Sequence, residues 1–252
     1  KVDGLYKSFG GVHAIQDVSF EVPKGVVYAV IGPNGAGKTT LFNLITGIYT
    51  PSAGRVFFEG SEIGGVAPDE LARRGMSRTF QNLQVCMNLS ALDNVMIGGH
   101  LKLNSSMLAA MARWPGLSAA DRRARARAAE LLAFVGCERY RDAEASQMPY
   151  GALKRLEIAR ALAADSKILL LDEPAAGLNH TETHEIEELI GKLAKSGLTV
   201  VLVEHDMKLV MNVSDRILVL DYGKRLAEGS PAEIQANPDV ISAYLGGDIE
   251  GA

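Results

Sequence analysis

Three short runs along the chain are apolar or nearly so and rich in branched residues: Val26-Val27-Tyr28-Ala29-Val30-Ile31, Ile168-Leu169-Leu170-Leu171 and Thr199-Val200-Val201-Leu202-Val203. None shows the polar alternation of a half-exposed strand, so each predicts a strand buried on both faces, as in a parallel sheet covered by helices. Helical spacing follows the first run, because Lys38 to Thr46 places its larger apolar residues on one face and stops at Gly47. After the second run, Asn179 with Glu182 predicts a capped helix. Its Ile186, Leu189, Ile190 and Leu193 would face the core, with Glu188 and Lys192 as an exposed pair.

The first sixty residues have another rhythm. Leu5 to Phe9, Val12 to Ile15 and Val18 to Val22 read as short strands separated by Gly10-Gly11 and Gln16-Asp17, and another surrounds Phe57-Phe58. Together they predict a small antiparallel sheet. Pro68 to Arg74 reads as a short helix ending at Gly75. From residue 82 to residue 165 the pattern is helical, with no convincing strand. Ser118 and Asp121 resemble a capping box, and Ala124, Ala128, Leu131, Leu132 and Val135 form a helix face that stops before Gly136. Met107 to Trp114 reads as an amphipathic, Met-bearing stretch. A hairpin is expected around Asp221-Tyr222-Gly223-Lys224, then a helix starting at Ser230-Pro231-Ala232-Glu233. The expected fold is α/β: a mostly parallel sheet, an antiparallel β part and an inserted helical part, with residues 1-81 and 166-252 as the core and 82-165 as the insert.

Composition narrows the function classes. The chain has 252 residues and is 47% hydrophobic, enough for a large core. No apolar run approaches the ~18 residues that span a bilayer, and no secretory leader pattern opens the sequence. Cys86 and Cys137 stand in no metal-ligand or redox spacing, which points to reduced thiols in a cytosolic protein. The net charge of -4 disfavours a nucleic-acid partner. Arg122, Arg123, Arg125 and Arg127 lie mainly opposite the apolar helix face and read as solvated surface.

Chemistry is concentrated at the ends of the apolar runs. Gly32-Pro33-Asn34-Gly35-Ala36-Gly37-Lys38-Thr39-Thr40 follows one strand and opens one helix, the context a phosphate-binding loop requires. Backbone N–H groups and the helix N-terminus supply positive potential for a polyphosphate. Gly35 and Gly37 give the turn its freedom and let phosphates approach. Lys38 is suited to the β- and γ-phosphates, Thr39 to Mg²⁺ and Thr40 to the α-phosphate. Asp172 and Glu173 end the second run; the first is suited to holding Mg²⁺ and the second to polarising an attacking water. His205 ends the third run, where an imidazole can reach a γ-phosphate. Phe9 fits either stacking on an adenine ring or packing in the core. The turn Met148-Pro149-Tyr150-Gly151 presents another helix N-terminus and hence a second potential anion site.

These residues together resemble the ATP-binding subunits of ABC transporters. Gly32 to Thr40 matches the Walker A loop, Gln81 the Q-loop, Ile168 to Glu173 the Walker B strand with its catalytic carboxylate, Ala176 to Asn179 the D-loop, His205 the switch histidine and Phe9 the aromatic A-loop. The resemblance implies an ATPase with Glu173, His205 and Gln81 as catalytic residues, ATP on Phe9, residues 32–40, Tyr150 and Gly151, and Mg²⁺ on Thr39, Gln81 and Asp172. It also implies partners: a second ATPase subunit, identical or not, that closes with ATP; transmembrane permease subunits; and a solute-binding receptor acting through the permease. The place of action would be peripheral, at the cytoplasmic face of the cell membrane. The signature loop departs from the family pattern LSGGQ, since Pro149 stands where Ser is usual and Ala152 where Gln is usual.

Within that family the chain is similar to LivG-type ATPases of hydrophobic, especially branched-chain, amino-acid importers. Phe9-Gly10-Gly11, Arg78-Thr79-Phe80-Gln81-Asn82, Arg155-Leu156-Glu157-Ile158-Ala159-Arg160, Ala175-Ala176-Gly177-Leu178-Asn179 and Ala243-Tyr244-Leu245-Gly246 carry the likeness. Urea or amide importers and lipopolysaccharide-export ATPases share several of these stretches. A soluble ABC ATPase of repair or translation usually has two fused units or a long coiled-coil insert, which this sequence lacks.

Overall fold

The computed structural model describes residues 1–100 and 115–245. The stretch from Met107 to Trp114 and the terminal Gly246 lie outside the described residues.

A six-stranded sheet forms the centre, in the order β10-β9-β3-β8-β7-β6. β3 (Val27–Ile31), β6 (Met76–Arg78), β7 (Ile168–Asp172), β8 (Thr199–Val203) and β9 (Arg216–Asp221) run parallel, and β10 (Lys224–Gly229) returns antiparallel as the hairpin partner of β9. The apolar runs become intelligible here, since successive strand residues point to opposite faces. Val27, Ala29, Ile31, Leu169, Leu171, Val200 and Leu202 enter one core, while Tyr28, Val30, Leu170, Val201 and Val203 enter the other. Both faces are dry, so neither needs polar residues.

The first core is closed by α3 (Ala91–Gly98), α4 (Pro115–Phe134), α5 (Tyr150–Leu162), α6 (His180–Lys195) and α7 (Met207–Val213). α1 (Lys38–Ile45) lies in the second core with an antiparallel sheet of order β2-β1-β4-β5. That sheet comprises β1 (Val2–Phe9), β2 (Val12–Phe20), β4 (Ala53–Phe58) and β5 (Ser61–Glu62). α2 (Pro68–Arg73) precedes β6, and α8 (Pro231–Gln235) and α9 (Pro238–Leu245) finish the described chain.

Several local expectations need correction. Gln16-Asp17 does not separate two strands: β2 runs through it, with Asp17 at φ 53° and register shifts against β1 absorbing the irregularity. Ser118 does not cap its helix, because α4 already begins at Pro115. Glu188 lies 3.7 Å from His184, one turn back on α6, and no ion pair joins it to Lys192 among the described residues. β6 goes unanticipated because three residues are too few to show a period. The caps at Asn179 and Ser230 both form complete capping boxes.

Candidate active site

The turn between β3 and α1 is shaped by its glycines and braced by the β9–β10 hairpin. Gly37 caps α1 at φ 101°, and a Cβ there would meet the Ala14 carbonyl oxygen at 2.6 Å, so conformation and space both require glycine. Gly35, at φ 80°, has open space around it; only its backbone conformation demands glycine. Gly223 N–H donates to the Ala36 carbonyl (3.0 Å) and the Gly223 carbonyl accepts from Gln16 N–H (2.7 Å), tying loop, hairpin and β2 together. Asn34, Gly35 and Thr39 are exposed at the rim, with Pro33, Gly37 and Thr40 half-buried and Gly32, Ala36 and Lys38 buried.

Lys38 is anchored inside this loop by backbone carbonyls. Its Nζ donates to the carbonyl oxygens of Gly32 (2.6 Å) and Pro33 (2.9 Å). Burial depresses its pKa, and the negative charge of Glu173 works against that depression. Lys38 and Glu173 therefore share one electrostatic environment although they lie on different strand ends.

Glu173 follows β7 with φ 49°, an uncommon conformation for a residue with a side chain, and its N–H donates to the Val203 carbonyl at 2.9 Å. Its carboxylate joins two other expected site residues. Gln81 Nε2 donates to Oε2 at 2.9 Å, and His205 Nε2 meets Oε1 at 2.7 Å. An ionised carboxylate only accepts, so the imidazole carries its proton on Nε2 here. Each carboxylate oxygen keeps another lone pair for a water.

Buried Glu204, which sequence reading passed over, fixes this geometry. One of its oxygens accepts from Ala175 N–H (2.7 Å) and the other from His205 N–H (2.9 Å), which joins the turn after β7 to the turn after β8. Burial raises its pKa, opposed by those backbone donors. The adjacency of two acids and one His at strand ends was visible; which acid turns inward was not.

Asp172 has a partner that was also missed. Arg78 Nη2 lies 2.6 Å from its Oδ2, with both side chains 7% exposed. Arg78 Nη1 donates to Asn43 Oδ1 (2.7 Å) and Thr46 Oγ1 (3.0 Å) of α1 and its C-cap. The guanidinium also lies 5.5 Å from the Phe42 ring centroid and 5.0 Å from that of Phe80. Removing one member of a buried ion pair costs about 3–5 kcal/mol. The signal available in sequence was an Arg beside a buried strand, which alone does not name its counter-ion.

The Q-loop backbone is gripped by one stripe of α5. Lys154 Nζ donates to the Gln81 carbonyl (3.2 Å), Glu157 accepts from Phe80 N–H (3.4 Å) and Gln84 N–H (3.3 Å), and Arg160 donates to the Gln84 carbonyl. Residues three apart share a helix face, so the spacing itself makes the grip.

Three expected site residues stand elsewhere. Phe9 is 42% exposed and meets Tyr49 edge-on at 5.2 Å, so it is not core. Gly151 N–H donates to Glu182 Oε1 at 3.3 Å, and the Tyr150 ring lies against Gly177. Among the described residues no hydrogen bond joins Tyr150 or Gly151 to residues 32–40 of the same chain. The oxygen donors Thr39, Gln81 and Asp172 have the chemistry of a hard divalent cation such as Mg²⁺. Among the described residues no cluster of three His, Cys, Asp or Glu forms a metal cage.

A phosphate loop, a strand-end carboxylate flanked by Gln and His, and an inserted helical region define an ATP-binding cassette. The profile of the ABC transporter family matches residues 15–176, and that of the branched-chain amino acid ATP-binding cassette transporter matches residues 224–250. The chain belongs to the ABC transporter family and is an ATPase subunit whose activity is coupled to transport. More particularly, it is similar to the high-affinity branched-chain amino acid transport ATP-binding protein BraF of Pseudomonas aeruginosa, 44% identical over 98% of this chain and 97% of the relative. The LivG protein of Escherichia coli K12 is 42% identical over 97% of this chain and 96% of its own length. Among solved structures, the ADP conformation of MJ1267, an ATP-binding cassette of an ABC transporter, superposes with TM-score 0.83 at 32% identity, covering 97% of each chain. A dimeric post-hydrolysis state of the cassette MJ0796 bound to ADP and Pi superposes with TM-score 0.76 at 27% identity, covering 91% of this chain and 97% of that one.

Proposed function

We propose that this chain drives uptake of branched-chain or other hydrophobic amino acids, with Glu173 as the base that takes the proton of the attacking water. The observation that carries the chemical part is the Gln81–Glu173–His205 contact set beside the Lys38 loop. Residues 32–40 bind the polyphosphate, Lys38 answers the β- and γ-charges, and Phe9, exposed at the end of β1, stacks on the adenine. Glu173 holds the attacking water on the lone pairs its carboxylate keeps free, while His205 Nε2–H, bonded to Oε1, orients that carboxylate toward the reacting centre. Mg²⁺ held by Thr39, Gln81 and Asp172 neutralises phosphate charge when bound.

Hydrolysis is tied to closure of two cassettes, because Gly151 and the N-terminus of α5 are phosphate-binding groups with no bond to the loop of their own chain. The MJ0796 dimer with ADP and Pi supports such a two-chain arrangement. Permease subunits at the cytoplasmic face of the membrane convert closure into transport, and a receptor delivers the solute. No helix among the described residues is long and apolar enough to cross a membrane. The substrate class rests on the BraF and LivG relatives. Reconstitution with the permease subunits and their receptor tests it: leucine, isoleucine or valine should stimulate ATP hydrolysis, and stimulation by urea or a short amide alone would replace this substrate assignment.

A further inference from the structure

Asp172 is buried at the end of β7, and its surroundings are unusual for a residue expected to face a metal. Arg78 stands beside it on the parallel neighbour β6, whose register pairs Arg78 with Leu170. The guanidinium spans three places at once: Asp172 Oδ2 at 2.6 Å, Asn43 Oδ1 at 2.7 Å and Thr46 Oγ1 at 3.0 Å. Asn43 lies one helical turn beyond Thr39, the other metal-holding candidate on α1. Phe80, on which the same guanidinium rests, is the chain neighbour of Gln81, the third.

We propose that Arg78 is a positioning residue for Asp172: it holds Oδ2 and leaves the other carboxylate oxygen to Mg²⁺. A planar guanidinium with several donors can hold a carboxylate and two α1 oxygens together, which a lysine ammonium on a flexible stem does less well. Its charge also offsets that of Asp172 in a place from which water is largely excluded. Arg78 acts through Asp172. The inference rests on the proposed Mg²⁺ role of Asp172.

The test compares ADP affinity by calorimetry with excess Mg²⁺ and with EDTA, so that turnover plays no part. Arg78→Lys keeps the charge and should lower the Mg²⁺-dependent gain in affinity about tenfold, the scale of one misplaced charged hydrogen bond, while leaving the EDTA affinity unchanged. In the Asp172→Asn background the same substitution should add nothing, as a shared pathway requires. An equal loss with and without Mg²⁺ would show that Arg78 supports the phosphate loop through α1, and additivity with Asp172→Asn would also overturn the inference. Asp172→Asn alone tests the underlying reading: if it leaves the Mg²⁺ gain intact, Asp172 is not a metal residue. If it abolishes the gain and Arg78→Lys does not change it, only the positioning role fails. Should Arg78→Lys not fold, Asn43→Ala removes a single arm of the clamp; it must lower the Mg²⁺ gain in the same direction, and an unchanged gain overturns the inference.

Discussion

The phosphate loop at 32–40 and the signature turn at 148–152 are both helix N-termini preceded by a tight turn, yet the chain treats them differently. The first is braced by backbone: the Ala36 carbonyl is bonded to Gly223, and Gly37 fits against Ala14 where no side chain can. Its Lys38 supplies positive charge from within. The second has Pro149 as its cap with no side-chain bond, and its Gly151 N–H already meets the Glu182 carboxylate. On the two-cassette reading proposed above, the first turn receives a ligand from solvent, while the second holds an internal anion that a partner's phosphate would displace. That reading makes the first a permanent half-site and the second an exchangeable one.

The largest effect separates binding at the permanent half-site from chemistry. Glu173→Gln keeps the shape beside Gln81 and His205 but removes the base, so hydrolysis in the assembled transporter should fall by about 10²–10⁴-fold while ATP still binds. Parental turnover would remove Glu173 from the role of base. Next in size, Lys38→Ala deletes the charge inside the loop; ADP affinity by calorimetry should drop by about tenfold to a hundredfold. An unchanged affinity would mean that the backbone alone makes the first half-site.

The exchangeable half-site is probed by charge removal with shape retained. Glu182 also closes the capping box of α6, its Oε2 accepting from Asn179 N–H at 3.1 Å, so a truncation would disturb the helix as well. Glu182→Gln keeps an acceptor and loses the negative charge that competes with phosphate. In the Glu173→Gln background it should tighten ATP-dependent dimerisation by about threefold to tenfold, the scale of one hydrogen bond. Sedimentation equilibrium with and without ATP reads this directly. A weaker dimer would make Glu182 a support of the closed state instead of a competitor.

What could be read beforehand follows from how local each feature is. The loop at 32–40, Asp172-Glu173 and His205 were legible because strand, turn and chemistry are contiguous in sequence, and both capping boxes span only four residues. Arg78 with Asp172, Glu204 with Ala175, and Gly151 with Glu182 were not, since each joins side chains brought together by the sheet or by packing of α5 on α6. A buried carboxylate announces itself in sequence only as another Glu. Phe9 was ambiguous for a related reason: whether an aromatic at a strand end is covered depends on Tyr49 and Lys7, which reach it only in the folded sheet.

The smallest expected effect concerns the buried carboxylates that hold the strand-end turns and the Q-loop. Burial is the leading cause that raises the pKa of both Glu204 and Glu157 above the ordinary carboxylate value of 4.5, with backbone donors opposing it in each case. The folded state then binds more protons than the unfolded chain between 4.5 and the raised values, so this contribution to stability falls as pH rises through that window. Glu204→Gln cannot titrate. It also replaces one of the two carboxyl oxygens that accept from Ala175 and His205 N–H with an amide nitrogen that cannot accept, so it should be less stable than the parent at acid pH, where Glu204 is protonated in both states of the parent. As pH rises toward neutrality, the parent bears the cost of ionising a buried acid and the variant does not, so the stability gap should narrow. Urea unfolding of both proteins across this range measures the gap as a function of pH. A gap that widens instead would mean that the N–H donors of Ala175, His205 and Asp206 outweigh burial.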